Sequence, residues 1–375
     1  MIHRKLENHV LTALKSGFVV GIFGARRVGK TVLLNMLQDS LPDSKIMIVQ
    51  GDDLDAAEIL SSSRSSVLER FVKSYDYLFV DEAQNIKNIG KNLKILADLV
   101  PDLRIVFTGS SALELYDQLG EPLTGRSMFF KLFPISQLEL QENMLESKKK
   151  LEEKMIFGTY PQIINSKEDS LKKQILKSIK NGYLLKDLLS LDNQKDSLFV
   201  IDLLRLIAFQ IGNDISFSEL ARQLQVNTRT VQRYLYLLEK TFVLFSLRGY
   251  SRNLRKEVSK SPRYYFWDNG IRNIVINNFN GINQRDDAGK LWENYCIAER
   301  LKKISYQNMN ANTFFWRTYD QKEIDLIEER DGKLYGFEMK WNPKRKVTAH
   351  KDFLNTYNNA EFQVINRENY LDFIA

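Results

Sequence analysis

Short apolar runs alternate with stretches of helical spacing along the first third of the chain. The runs are Phe18-Val-Val-Gly-Ile-Phe23, Lys45-Ile-Met-Ile-Val-Gln50, Tyr77-Leu-Phe-Val80, Arg104-Ile-Val-Phe-Thr108 and Met128-Phe-Phe-Lys-Leu132. Each is short enough to be a strand buried on both faces. Between them, apolar residues recur at intervals of three and four: Leu6, Val10, Leu11 and Leu14; Leu33, Leu34 and Leu37; and the stretches 67–72 and 93–99. Strands alternating with helices predict an α/β fold with a parallel sheet covered on both faces. From Gln137 to about Lys154 the pattern turns polar and rich in Lys and Glu, which predicts a solvated helix. Helical segments at 171–179 and 198–209 follow as a lid and connector.

The later pattern is different. A short helix is expected to open at Ser216 or Ser218, with a turn at Val226-Asn227 and a second helix from Thr228. The second helix buries Val231, Leu235 and Leu238 and leaves Arg229, Gln232 and Arg233 outward, a helix-turn-helix pattern. Residues 242–248 and 263–268 read as the two strands of a wing, with the basic stretch Arg252-Asn-Leu-Arg-Lys256 between them. Beyond it come a helical stretch at 289–301 and three apolar runs, 313–317, 323–330 and 333–341. Asp331-Gly332 joins the last two as a two-residue hairpin turn. With Arg330 opposite Lys333, counting outward sets Asp325 against Glu338. Strict alternation then puts Asp325, Glu338 and Lys340 on one face, and Ile324, Leu326, Phe337 and Met339 on the other.

Chemistry enters at Gly24-Ala25-Arg26-Arg27-Val28-Gly29-Lys30-Thr31, which fits the phosphate-binding pattern G-x-x-x-x-G-K-[ST] between a strand and a helix. The glycines let backbone N–H groups curl round a phosphate, and the helix start adds partial positive charge. Lys30 would reach the β- and γ-phosphates of ATP, and the Thr31 hydroxyl would hold Mg²⁺. The run 77–80 ends in Asp81-Glu82-Ala-Gln84. Asp81 would orient the Mg²⁺ through water, and Glu82 would polarise the attacking water. After the next strand, Ser110 is the candidate γ-phosphate sensor. Arg126 is the candidate arginine finger, unless it pairs with a nearby carboxylate such as Glu121.

With 375 residues the chain is long enough for two or three domains, and its formal net charge of +7 suits a polyanionic partner without specifying one. Cys296 is the only cysteine, which excludes a disulfide framework. His3, His9 and His350 are scattered and form no zinc-ligand pattern. No apolar run approaches the ~20 residues needed to span a bilayer, and the start of the chain lacks a signal-peptide core, so a soluble cytoplasmic protein is expected.

The strings GARRVGKT at 24–31, LFVDEAQ at 78–84, FTGSSALEL at 107–115, EPLTGR at 121–126, KLFPIS at 131–136 and GTYPQII at 158–164 resemble one family over nearly the whole chain. It is the AAA-type P-loop ATPases of archaea and bacteria with a carboxy-terminal domain of uncharacterised function. The resemblance implies ATP binding, a five-stranded core and a nuclease-like tail. Glu293, Asp325, Glu338 and Lys340 are similar to the PD-(D/E)XK nuclease pattern, which implies three metal ligands and a lysine that orients the nucleophile.

The expected organisation is a P-loop ATPase core over 1–136, a helical lid and connector over 137–205, a winged helix-turn-helix over 206–280 and a nuclease-like α/β domain over 281–375. The expected function is Mg²⁺-dependent ATP hydrolysis coupled to DNA binding or processing, with Arg229 and Arg233 as DNA contacts. The alternative is a nucleotide-dependent switch for protein partners in which the tail is a docking surface. No membrane partner is expected, and self-association is compatible with either.

Overall fold

Local sequence accounts for the first elements. Gly29 adopts a left-handed conformation, φ 100°, and from it helix α2 (Lys30–Asp39) runs with Leu33, Leu34, Met36 and Leu37 buried. Each such side chain contributes about 1.5–3 kcal/mol on leaving water. The computed structural model describes residues 2–110, 125–184, 197–251, 261–318, 322–345, 347 and 351–375. They form two compact units, Met1–Pro134 with Lys240–Phe242, and Ile135–Glu239 with Val243–Ala375. No helix among the described residues is long and apolar enough to cross a membrane.

In the first unit, strands β1 (Val19–Phe23), β2 (Ile46–Gln50), β3 (Tyr77–Asp81), β4 (Arg104–Gly109) and β5 (Ser127–Lys131) form one parallel sheet. Its order is β2-β3-β4-β1-β5, so the α/β expectation and the five strands are present. Every residue of β1 and β3 is buried, whereas β2 and β5 lie at the edges and are half-exposed. Phe23 meets Phe107 edge-on at 5.7 Å and Phe129 at the same distance, filling one face. Helices α1 (Leu6–Ala13), α3 (Leu54–Ser61), α4 (Ser65–Val72) and α5 (Ile89–Leu99) complete the layers. The strand order reverses direction at β1, and such sheets bind ligands outside the strands' carboxyl ends at that reversal.

The second unit begins where a solvated helix was expected, and most of the Lys and Glu side chains there do face solvent, though on two short helices rather than one and with a few polar groups turned inward. Residues 137–154 form a short 3-10 turn and helices α6 (Met144–Lys149) and α7 (Leu151–Phe157), with Gln137, Glu139, Ser147 and Lys154 buried. Lys154 Nζ donates to Gln137 Oε1 at 2.8 Å and pairs with the Glu142 carboxylate. Burial lowers the Lys154 pKa from its ordinary value, with Glu142 opposing the change. Polar composition hid only these inward groups, because charges that neutralise one another inside a protein look, in sequence, like charges facing water.

Helices α8 (Pro161–Ile164), α9 (Asp169–Ile179) and α10 (Ser197–Phe209) lead to α11 (Phe217–Gln223) and α12 (Thr228–Lys240). Ser216 caps α11, its side chain accepting from Glu219 N, and Asn227 Oδ1 accepts from Thr230 N at 2.7 Å at the start of α12. Val231, Leu235 and Leu238 are buried together with Tyr234 and Leu237, while Arg229, Gln232 and Arg233 are exposed. The strands read as a wing, β6 (Leu244–Gly249) and β7 (Arg263–Phe266), do pair antiparallel. β6 also pairs parallel with β8 (Asn312–Arg317), which makes both strands part of one six-stranded sheet, β11-β10-β9-β8-β6-β7. Residues 252–256, the basic stretch between them, lie outside the described residues.

The rest of that sheet is β9 (Glu323–Arg330), β10 (Lys333–Met339) and β11 (Ala360–Ile365). Helices α13 (Asn269–Ile276), α14 (Ala288–Tyr306), α15 (Lys351–Thr356) and α16 (Tyr370–Ile374) complete the unit. The β9–β10 register runs as counted, from Arg330 opposite Lys333 to Leu326 opposite Phe337. There the alternation expected from sequence fails. On the other side of β9, Phe314 faces Ile327 and Trp316 faces Ile324, so β9 spends one residue more than β8 over the same span. An extra residue of this kind is a β-bulge, which bends a strand and re-aims its side chains. Ile324 and Ile327 consequently join the same apolar cluster although strict alternation would part them.

Candidate functional site

The loop at 24–31 is shaped by close contacts. A Cβ on Gly24 would lie 2.2 Å from the Leu132 carbonyl oxygen, so only glycine fits there. Arg27 is left-handed, φ 62°, and Gly29 follows at φ 100°. No side chain caps α2, and an uncapped helix start presents its first amides and the positive end of its dipole. Ala25 and Val28 are buried, Arg26 is half-buried and Arg27 is exposed.

Lys30 is buried, and its Nζ donates to the carbonyls of Gly24 at 3.1 Å and Ala25 at 3.3 Å. It also stands 3.4 Å from Glu82 Oε1. Thr31 Oγ1 donates to Asp81 Oδ2 at 2.5 Å. β4 lies between β1 and β3, and Thr108 on it donates to Asp81 Oδ1 while accepting from Glu82 N at 3.0 Å. Gln84 Nε2 donates to Glu82 Oε2 at 2.5 Å and to Ser110 Oγ at 3.2 Å, which joins the ends of β3 and β4. Glu82 itself is left-handed, φ 50°, a conformation that turns the chain sharply as it leaves the strand. Lys30, Thr31, Asp81, Glu82 and Ser110 therefore share one edge of the sheet.

Arg126 lies elsewhere. Its carbonyl accepts from Val19 N at 2.9 Å, which puts it at the entry of β1 and β5, whereas the loop follows the exit of β1. Five residues of strand separate the two ends, about 16 Å at 3.3 Å per residue. Its guanidinium pairs with Asp98 at 2.7 Å, more than half exposed; Glu121, the partner suggested by sequence, lies outside the described residues. Within one chain Arg126 does not reach the loop.

A nucleotide polyphosphate and its metal fit this edge: the Gly24 cradle, the uncapped helix start, a buried lysine and the Thr31–Asp81 oxygen pair are the groups that such a ligand requires. Sequence reasoning passed over three members of the site. Gln84 and Thr108 stand inside quoted motifs, and only their pairing across strands shows their use. Arg4, far back in sequence, donates from Nη1 to the Val28 carbonyl at 2.6 Å and from Nη2 to the Phe133 carbonyl at 2.7 Å.

The second unit brings Glu293, Asp325, Glu338 and Lys340 into one electrostatically linked group. Glu293, on α14, accepts from Tyr265 Oη at 2.9 Å and pairs with Lys290 at 3.0 Å. Asp325 Oδ2 accepts from Met339 N at 2.8 Å, beside the bulge. Lys340 Nζ donates to Glu338 Oε1 at 2.5 Å, and Glu338 Oε2 is buried without a hydrogen-bond partner. Burial and the neighbouring Asp325 carboxylate push Glu293 and Glu338 up to about 7, and burial raises Asp325 as well. Among the described residues no group of three His, Cys, Asp or Glu side chains is arranged to hold a metal ion. The carboxylates converge; their own lysines, a tyrosine and a backbone amide engage them, and Glu338 Oε2 alone is buried and left open. The three-ligand metal centre implied by resemblance does not fit this arrangement.

Residues 16–141 match the family model of an AAA domain. Residues 148–285 match a domain of unknown function (DUF8612) and residues 288–371 another (DUF4143). An uncharacterised protein of Mycobacterium tuberculosis is 27% identical over 338 residues, 88% of this chain and 71% of that protein. One from Haemophilus influenzae is 25% identical over 339 residues, 84% of this chain and 81% of that protein. Among solved structures, a RuvB mutant of Thermotoga maritima is 17% identical, with 68% of this chain and 93% of that chain covered at a TM-score of 0.30. AMPPCP-bound DnaA of Aquifex aeolicus is 16% identical, with 63% and 85% covered at a TM-score of 0.27. Likeness of that size carries no argument. The family-model match, the parallel sheet and the loop geometry make the amino-terminal unit a P-loop domain of the AAA type.

Proposed function

We propose that the chain binds ATP with Mg²⁺ and hydrolyses it, and that the cycle is coupled to DNA binding or processing. The observation that carries the ATPase reading is the meeting of Lys30, Thr31, Asp81 and Glu82 at one sheet edge. Thr31 and Asp81 would hold the Mg²⁺, which when bound neutralises charge on the transferring phosphoryl group. Lys30 exchanges its carbonyl partners and Glu82 for phosphate oxygens. Glu82, released from Lys30, orients the attacking water and takes up its proton, while Gln84 and Ser110 set its direction. Arg126 can serve only a neighbouring copy's nucleotide.

The DNA half of the proposal rests on α11 and α12, whose exposed Arg229 and Arg233 are suited to phosphate contacts, and on the net charge of +7. A second reading, a nucleotide-driven switch for protein partners with the tail as a docking surface, is favoured by one observation. Lys290, Tyr265, Lys340 and the Met339 amide already occupy the tail's carboxylates.

ATP turnover with and without DNA, on wild type, Lys30→Ala and Glu82→Gln, is the test. Lys30→Ala is expected to lose nucleotide binding, and Glu82→Gln to keep binding while turnover falls by roughly 10²-fold or more. Calorimetry that finds no nucleotide uptake by wild type refutes the ATPase reading. DNA binding that weakens steeply with salt and stimulates turnover supports the coupling; turnover indifferent to DNA supports the switch.

A further inference from the structure

We infer that Arg4 is a positioning residue for the phosphate loop, holding its last amides in the orientation that accepts a polyphosphate. This rests on the ATP-binding reading above. Arg4 precedes α1 and is 4% exposed. Burying a guanidinium is expensive unless its fork is satisfied, and here the fork spans two carbonyls, those of Val28 and Phe133.

The geometry of the peptide unit gives this contact its consequence. In a trans peptide the C=O and the following N–H point in opposite directions. With the Val28 carbonyl drawn toward Arg4, the Gly29 N–H is aimed away from Arg4, to the opposite side of the loop. Gly29 is the residue before Lys30, and its left-handed backbone is what lets the chain turn from that peptide into α2. Arg4 Nη1 lies 3.4 Å from where a Gly29 Cβ would stand, so the guanidinium packs directly against this turn.

The second arm of the fork fixes the loop to the same segment that shapes its beginning. Phe133 follows Leu132, whose carbonyl closes on Gly24 and whose amide donates to Phe23 O at 2.7 Å. Gly24 at one end and Val28 near the other are thus referred to the two adjacent residues leaving β5. α1 is anchored further along: Ser40 Oγ, just past α2, donates to Glu7 Oε1 at 2.8 Å, and Leu6, Val10 and Ala13 are buried. The amino-terminal segment therefore braces α2 at its far end and the loop at its near end.

The test compares wild type, Arg4→Met and Arg4→Lys for displacement of a fluorescent ATP analogue by Mg-ATP and by inorganic tripolyphosphate, with thermal melting and steady-state kinetics alongside. Arg4→Met is expected to weaken ATP and tripolyphosphate by the same factor, about 10- to 100-fold, raising KM with kcat changed less than about threefold. Arg4→Lys, which restores a charged donor without the fork, is expected to recover part of the loss. Unchanged ATP affinity in Arg4→Met overturns the inference. So does weakened ATP binding with tripolyphosphate unaffected, because the defect would then lie away from the loop. If Arg4→Met does not fold, Arg4→Gln takes its place with the same readouts. Failure of wild type to bind ATP would count against the ATPase reading instead.

Discussion

Replacing Glu293 by Gln should make the second unit more stable at alkaline pH and leave it nearly unchanged below pH 4. Burial, with the Asp325 carboxylate nearby, lifts the Glu293 carboxyl from an ordinary 4.5 to about 7. In the unfolded chain it ionises at its ordinary value, so between those limits the folded state holds the proton and the unfolded state does not. Stability therefore falls as pH rises through this window, and the loss is complete above it. The difference amounts to about 3 kcal/mol at 1.36 kcal/mol per tenfold, a net figure in which the pairing of Lys290 with the ionised form is already included. Glutamine carries no charge and can still accept from Tyr265 and Lys290. A net gain of about 3 kcal/mol for Glu293→Gln at pH 8 is expected.

All four tryptophans, Trp267, Trp292, Trp316 and Trp341, lie in the second unit, so urea unfolding followed by tryptophan fluorescence reads that unit selectively. The quantity to measure is the variant-minus-wild-type stability at pH 5, 6, 7 and 8, which removes other titrating groups common to both. A difference that grows with pH supports the reasoning. A flat difference, or one that shrinks toward pH 8, would refute it, showing that Glu293 is ionised in the native state throughout.

Arg300 grips Glu328 through two hydrogen bonds, at 2.6 and 2.9 Å, and Glu328 is fully buried. Arg300→Met should cost about 3 kcal/mol in the same urea assay, and adding Glu328→Leu should recover much of it, because the buried carboxylate, left among the described residues with only Arg330 at 3.4 Å, carries most of the penalty. A double variant no better than the single would contradict this. Arg126→Ala removes only an exposed pair with Asp98, worth at most about 1 kcal/mol, so stability should hold. Its turnover should fall with ATP binding retained, and mixing it with Lys30→Ala copies should restore activity if Arg126 serves a neighbour. Normal turnover by Arg126→Ala alone would remove it from the reaction.

What was legible in the sequence is what adjacent residues decide among themselves. The loop at 24–31, the acidic strand end at 81–82, the five strands and the buried face of α12 each follow from a contiguous motif or a period, because those are set by backbone geometry over a few residues. The parallel pairing of β6 with β8 was not legible: it joins segments more than sixty residues apart, and nothing local distinguishes a wing strand from the continuation of a larger sheet. Nor was the bulge in β9, where one residue too many against β8 puts Ile324 with Ile327 instead of Leu326, while the grouping of Asp325, Glu338 and Lys340 reached by counting from Asp331-Gly332 persists. Within 137–154 most charges face solvent as read, and only Glu139 and Lys154 escaped, because a sequence states which side chains are ionisable and not which ones meet.

The composition of the candidate site divides the same way. Sequence by itself determined that a loop of the phosphate-binding pattern, a lysine and two carboxylates belong to this chain. Tertiary structure alone decided that Thr108 and Gln84 tie those carboxylates to the neighbouring strand, that Arg126 stands at the opposite end of the sheet, and that Arg4 holds the cradle from behind. Hydrogen bonds between distant segments depend on how the layers stack, and that is a property of the whole packed sheet.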